Sequence, residues 1–261
     1  MRSMSIKSQT AFITGATSGI GAAVAKLLAQ EGVNLILTGR RQERLSEMKE
    51  TYEKKYSVSV QTIALDVQNK NDVKQRIGAI QDEIDFLINS AGLALGTDPI
   101  QSGKIEQWDQ MIDTNFKGLL YVTREILPRM LKKDKGHIVN IASVAGHDCY
   151  PGGNIYSATK HAVVAISQSL RLDLQESSIR VSQVSPGAVE TEFSRVRWQD
   201  VQRAKQFYQD FDPLTSEDIA DNVLYCITRP PHVNISEIIV WPQAQSSVTQ
   251  ICRKGKRDHL L

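Results

Sequence analysis

Ala11-Phe12-Ile13-Thr14-Gly15-Ala16-Thr17-Ser18-Gly19-Ile20-Gly21 is the stretch on which the fold turns. Three apolar residues of strand character run directly into a turn with glycines at positions 15, 19 and 21. A helical pattern follows, with Ile20, Val24, Leu27 and Leu28 on one face and Gly32 placed as a C-terminal cap. Leu35-Ile36-Leu37 then reads as a second buried strand. Strand, glycine-rich turn, helix, strand is the unit that seats a dinucleotide phosphate at a helix N-terminus. Glycine is required there because the backbone must turn tightly and come close to the pyrophosphate. The spacing is Gly-x-x-x-Gly-x-Gly, not the commoner Gly-x-Gly-x-x-Gly.

Outward from this unit the alternation continues. Leu45, Met48 and Tyr52 mark a helix, Val58 to Leu65 a strand, and Val73, Ile77, Ile80 and Ile84 a further helix. Phe86-Leu87-Ile88 is a strand that runs into Asn89-Ser90-Ala91-Gly92. Trp108, Ile112, Phe116, Leu119, Val122, Ile126 and Leu127 predict one long helix, which Pro128 should kink or end. His137 to Ile141 is the next strand and leads to Ser143; a helix from near Tyr156 and a strand from Ile179 to Val184 follow. Pro186 to Asp212 is less regular and rich in charge and aromatics. A helix near Ile219 to Ile227 and a strand near Ile235 to Val240 close the series. Repeated βα units predict an α/β fold with one doubly wound parallel sheet of Rossmann-like type, buried on both faces. No linker or repeat divides it. Residues 1–242 are expected to form a single domain, with a cofactor half at 10–145 and a catalytic and substrate half at 146–242. Residues 243–261 are expected to be an extended C-terminal tail.

Composition bounds the partners. A chain of 261 residues with a formal charge of +2 gives no reason to expect nucleic acid as a ligand. The basic tail residues Arg253, Lys254, Lys256 and Arg257 lack any wider basic bias to join and read as solvated. Cys149, Cys226 and Cys252 are odd in number and far apart, which suits reduced thiols in the cytoplasm and neither a disulfide framework nor a zinc site. No metal and no membrane partner is expected, since no apolar run has the length of a membrane span.

The second decisive stretch is Tyr156-Ser157-Ala158-Thr159-Lys160, which opens the helix continued by Ala162, Val163, Ile166, Leu170 and Leu174. Tyr156 and Lys160 then lie one turn apart on one face. A phenol of ordinary pKa about 10 is a poor base near neutrality. A cation about 4 Å away, at an effective dielectric near 20, favours the phenolate by roughly 4 kcal/mol, or about three pKa units. Such a tyrosine can act as a general acid or base near pH 7.

Together with Thr14 to Gly21, Asn89-Ser90-Ala91-Gly92, Asn115, Ser143 and Pro186-Gly187, this pair strongly resembles the short-chain dehydrogenase/reductase family over essentially the whole chain. Ser90 departs from the second asparagine usual in the family. The resemblance implies that Tyr156 exchanges a proton with the substrate oxygen and that Ser143 hydrogen-bonds that oxygen. Lys160 would lower the tyrosine pKa and hold the nicotinamide ribose, and Asn115 would position a water joining Lys160 to solvent. Cofactor contacts are implied at Gly15, Ala16, Thr17, Ser18, Gly19, Ile20, Gly21, Asn89, Ala91, Gly92, Tyr156, Lys160, Pro186, Gly187, Val189 and Thr191, with Asp66 and Val67 resembling the adenine-contacting pair. Where an NAD enzyme carries an acidic residue after the second strand, this chain has Arg40 and Arg41, which suit the 2′-phosphate of NADP(H).

Thr38 to Leu45, Ala91 to Gly96, Met111 to Asn115 and Thr191 to Ser194 resemble the bacterial and fungal NADP-dependent 3-hydroxy acid dehydrogenases, with the sulfoacetaldehyde reductases in the same neighbourhood. That resemblance implies a small anionic hydroxy or carbonyl substrate and a homotetramer. A broad carbonyl reductase and a catalytically silent nucleotide sensor are the alternatives, and the intact Asn115, Ser143, Tyr156 and Lys160 set argues against silence. Arg195 and Arg197, in the segment that folds over the substrate in this family, are candidates for the anion. In an extended lid both would point the same way. The competing reading pairs them with Glu192 or Asp200 on the outer face.

Overall fold

The computed structural model describes residues 4–254. Its strands are β1 (Thr10–Ile13), β2 (Asn34–Gly39), β3 (Val60–Ala64), β4 (Phe86–Asn89), β5 (Gly136–Ile141), β6 (Ile179–Pro186) and β7 (Glu237–Val240). They form one sheet in the order β3-β2-β1-β4-β5-β6-β7, every pair parallel. The helices are α1 (Gly19–Gln30), α2 (Gln42–Tyr56), α3 (Lys70–Gly78), α4 (Ile105–Ile112), α5 (Leu119–Lys132), α6 (Asn154–Asp173), α7 (Glu192–Trp198), α8 (Val201–Phe207) and α9 (Ser216–Ile227).

The strand period of two sorts each apolar triplet between two cores. Ala11, Ile13, Leu35, Leu37, Phe86 and Ile88 pack on one face with α1, α2 and α9, while Phe12, Ile36 and Leu87 pack on the other with α3 and α5. Both faces of the central strands are therefore dry, and the sequence there shows continuous apolar runs, not alternation. Among the described residues, no helix is long and apolar enough to cross a membrane.

Four expectations need correction. The helix carrying Val73 and Ile77 stops at Gly78, and Ile80 and Ile84 are buried from the loop beyond it. Of the two outcomes expected at Pro128, an end of the helix is excluded, since the helix runs on to Lys132. The proline is exposed while Val122, Ile126 and Met130 are buried, so packing carries the helix past the missing hydrogen bond. The stretch read as one long helix is broken by a π-helical turn at Asp113–Gly118, between α4 and α5. Finally, the tail is not extended as far as it is described. Gln245 bridges Ile251 in antiparallel sense, and the Cys252 N–H donates to the Ala244 carbonyl at 2.8 Å. Lys256 and Arg257 lie outside the described residues.

Candidate active site

The strand order reverses between β1 and β4, the place where a doubly wound sheet opens a crevice at its carboxyl ends. Thr14 ties the two strand ends together, its hydroxyl accepting from the N–H groups of Ser90 and Ala91 at 3.0 Å each. Gly15 sits at φ +65°, and a Cβ there would lie 2.9 Å from the Ala91 backbone. At Gly21 a Cβ would come within 2.4 Å of the Gly15 carbonyl oxygen. The turn is thus closed against β4 and against the first turn of α1, leaving a cradle at the helix N-terminus.

A cavity of ≈ 890 Å³ runs from this cradle to α6. Gly15, Thr17, Ser18, Gly19, Ile20, Arg40, Arg41, Asp66, Val67, Ala91, Gly92, Ser143, Tyr156, Lys160, Pro186, Gly187, Val189, Thr191 and Arg197 all line it. Ala16, Gly21, Asn89, Asn115 and Arg195 do not. Asn89 instead serves the sheet, donating to Thr123 Oγ1 at 3.0 Å and to Asn140 Oδ1 at 2.9 Å. Arg40 is exposed, with no hydrogen-bond or ion-pair partner among the described residues. A backbone cradle beside a helix N-terminus, with an uncommitted guanidinium at the end of β2, fits a phosphorylated dinucleotide.

At the other end of the cavity Tyr156 and Lys160 are buried on one face of α6, with the Lys160 Nζ 5.9 Å from the phenol ring centre. The expected depression of the phenol is absent. Burial drives the Tyr156 pKa up, and this outweighs the opposing hydrogen bond from Ser143 and the charge of Arg197. Lys160 is itself pushed down to about 8 by burial, and its ammonium donates to the Ile141 carbonyl at 2.9 Å. Ser143 follows β5, its Oγ accepting from Ala145 N–H at 3.1 Å. The Asn115 side chain is committed to structure: Oδ1 accepts from Leu93 N–H at 2.8 Å, and Nδ2 donates to Leu93 O and Thr159 Oγ1. It sits in the π-helical turn, an irregularity often found at functional sites.

The segment after Pro186 covers the cavity as two short helices. Thr191 caps α7 by accepting from Phe193 N–H, and Asp200 caps α8 by accepting from Gln202 and Arg203 N–H groups. These two caps were the readable signals for helices here. Because the lid is helical, residues two apart diverge by about 200° of rotation, following from 3.6 residues per turn. Arg195 accordingly points to solvent and Arg197 to the cavity, which corrects the expectation that they share a direction. Arg197 donates from Nη1 to Tyr150 OH at 2.6 Å and from Nη2 to Gly152 O at 3.2 Å.

Neither lid arginine pairs with Glu192. Its carboxylate receives Arg41 and Arg44 instead, each at 2.9 Å, and Arg41 also donates from Nε and Nη2 to Thr17. Burial opposes ionisation of Glu192, but the hydrogen bonds from Arg44 and Arg41 together prevail and hold its pKa below the ordinary value. The first residue of the lid is thereby fastened to the glycine-rich turn. Arg44, Tyr150, Trp198, Arg203, Tyr208 and Gln245 also belong to this assembly and were not anticipated; nothing in their local spacing marks them. The tail joins it as well: Arg253 Nη2 donates to Phe207 O at 3.1 Å, and Gln245 Oε1 accepts from Ala188 N–H at 2.8 Å.

Comparison with known proteins places this architecture. The family model for short chain dehydrogenases matches residues 9–202. An NADP-dependent 3-hydroxy acid dehydrogenase of Escherichia coli is 43% identical over 239 residues, covering 90% of this chain and 95% of that protein. Sulfoacetaldehyde reductase 2 of Chromohalobacter salexigens is likewise 43% identical, over 244 residues, covering 92% and 96%. Among solved structures, the closed form of serine dehydrogenase complexed with NADP+ has a TM-score of 0.87 at 41% identity, covering 91% of this chain and 96% of that one. With its parallel sheet, its glycine-rich turn and its buried tyrosine–lysine pair, the chain belongs to the short-chain dehydrogenase family of oxidoreductases.

Proposed function

We propose that the protein is an NADP(H)-dependent oxidoreductase that interconverts a small anionic 3-hydroxy acid, of the serine or 3-hydroxypropionate type, and its aldehyde or ketone. The observation that carries this reading is the single cavity with Arg40 at one end and Tyr156, Lys160, Ser143 and Arg197 at the other. Thr17 to Ile20 would hold the pyrophosphate, Arg40 the 2′-phosphate, and Asp66 and Val67 the adenine. The nicotinamide, when bound, supplies or accepts the hydride. Tyr156 gives its hydroxyl proton to the carbonyl oxygen during reduction and takes it back during oxidation. Ser143 hydrogen-bonds the same oxygen and fixes its position. Lys160 holds the ribose and, whenever charged, favours the phenolate. Asn115 clamps the Leu93 loop behind Lys160 and so keeps that side of the site rigid. The lid excludes water, and Arg197 is the side chain able to pair a carboxylate there, because an unpaired buried charge is very costly. A homotetramer packed through α5 and α6, in the cytoplasm, completes the proposal.

Reduction of a sulfonated aldehyde is the second reading, favoured by the equal 43% identity to a sulfoacetaldehyde reductase. NADPH oxidation with malonic semialdehyde, sulfoacetaldehyde and a neutral aldehyde, and NADP+ reduction with serine and 3-hydroxypropionate, separate the two. Tyr156→Phe should lose at least about a hundredfold in turnover, the lower end for general acid–base catalysis, and keep its NADPH affinity. Wild-type turnover in that variant sinks the reading.

A further inference from the structure

Two cations bear on the Tyr156 ring at nearly the same distance. Lys160 Nζ is 5.9 Å from its centre, and Arg197 Cζ is 5.8 Å from it. They differ in origin and in permanence. Lys160 belongs to the same helix as the tyrosine, while Arg197 arrives from α7. Burial brings the lysine down to about 8, so its charge fades in mildly alkaline solution. A guanidinium stays charged at every accessible pH. Arg197 is also firmly placed, since two of its three nitrogens are tied to Tyr150 OH and Gly152 O, in the loop that leads into α6. The remaining polar and charged groups that bear on Tyr156 are Ser143 from the end of β5, Tyr150 from that loop and Tyr208 from beyond α8; all three are uncharged in their ordinary protonation states.

We propose that Arg197 is a lid-borne positioning residue that supplies positive charge to the Tyr156 phenolate and so offsets part of the cost of burying it. This rests on the reading of Tyr156 as the proton donor. During reduction the phenol O–H bond breaks, its proton passes to the carbonyl oxygen, and a phenolate is left in a dry site. With the lid closed, Arg197 offsets that negative charge where water cannot.

The test is a titration of tyrosinate absorbance in the NADP+ complex, with Tyr156→Phe on the same background subtracted to isolate one phenol. Arg197→Met should raise the Tyr156 midpoint by about one to two pH units, as expected for a unit charge at about 6 Å and an effective dielectric of about 20 to 40. Arg197→Lys, which keeps the charge, should stay within about half a unit of wild type. An unchanged midpoint in Arg197→Met overturns the proposal, even if KM for the anionic substrate rises, because Arg197 is then an anion ligand only. So does a shift in Arg197→Lys as large as in Arg197→Met, which would mark a packing effect. Neither result touches the turnover test on Tyr156→Phe.

Discussion

The glycine-rich turn and the lid face each other across one cavity and are held by different physics. At the turn, backbone meets backbone: Gly15 lies against Ala91, Gly21 against the Gly15 carbonyl, and Thr14 against two N–H groups. The lid is two helices of seven residues each, held largely by side chains, Glu192 to Arg41 and Arg44, Arg197 to Tyr150, and Ser194 to Tyr208, with one backbone bond from Gly96 N–H to Arg197 O at 2.9 Å. Backbone contacts between fixed elements have no alternative arrangement, whereas partly exposed ion pairs can be exchanged for water at little cost. One wall of the cavity is therefore fixed by backbone against backbone, and the other is held mainly by exchangeable side-chain pairs.

The sharpest way to separate the two walls uses neighbouring arginines. Arg40→Ala should weaken NADPH about ten- to a hundredfold through the lost charge-assisted contact and leave NADH nearly unchanged. Arg41→Ala should weaken both cofactors, because Arg41 also fastens the lid to Thr17. Equal losses for both cofactors at Arg40, measured by fluorescence titration, would erase the distinction.

Gly21→Ala probes the fixed wall. The added methyl meets a carbonyl oxygen that cannot retreat, so overpacking should cost about 1–3 kcal/mol. For a chain of this size each kcal/mol lowers Tm by about 2–4 °C. An undisturbed melting temperature would show that the turn yields.

His137, near the start of β5 and outside the cavity, tests through pH the sheet that carries the fixed wall. It is fully buried between β5 and β6, and burial, helped by Arg180, lowers its pKa from 6.5 to about 3. Ser182 Oγ donates to Ile235 O, so His137 Nε2 is the donor in its 2.8 Å contact with Ser182. The unfolded chain takes up a proton that the folded one refuses. The neutral ring's stability is thus complete above pH 6.5 and declines as pH falls towards 3, by about 1.4 kcal/mol per pH unit within that window. His137→Gln should flatten the acid limb of a denaturation series by that slope; an unaltered limb excludes the ring as its source.

The smallest effect belongs to the lid. Glu192→Gln should change Tm by no more than about 1 kcal/mol's worth, as for other exposed pairs. It should raise KM for NADPH a few-fold and remove part of its salt dependence. A melting drop as large as that of Gly21→Ala would mean that the two walls are not different after all.

The same contrast decides what could be read from the residues. Ala11 to Ile13, Leu35 to Leu37 and Phe86 to Ile88 are apolar without interruption because both faces of the sheet are covered, and that condition is written directly in the sequence. Tyr156 and Lys160 are joined by helical spacing, and the structure brings both into the cavity. The side-chain direction of Asn89 is not legible, because a strand-end asparagine can face the site or the sheet, and only the positions of Thr123 and Asn140 decide which. Arg195 and Arg197 were misjudged because the lid was read as extended, although Thr191 and Asp200 are ordinary helix caps. The π-helical turn at Asp113–Gly118 left no mark at all. It accommodates Gly118 against Val67, where a Cβ would lie 2.6 Å from the valine Cγ2, a packing relation between residues far apart in the chain.

The strand order also sets a timetable for synthesis. β1 pairs with β2 at Thr10↔Asn34, a separation of 34 − 10 = 24 residues, but with β4 only at Ala11↔Phe86, a separation of 86 − 11 = 75. At a ribosomal pace of about 5–20 residues per second, the β4 edge of β1 waits about 4–15 seconds for its partner. Throughout that interval Ala11, Phe12 and Ile13, which end in the centre of the sheet with no exposed surface, present an open apolar edge. The glycine-rich turn can be drawn tight only when Ala91 arrives behind β4, so the cofactor cradle is among the later features of the N-terminal half to form.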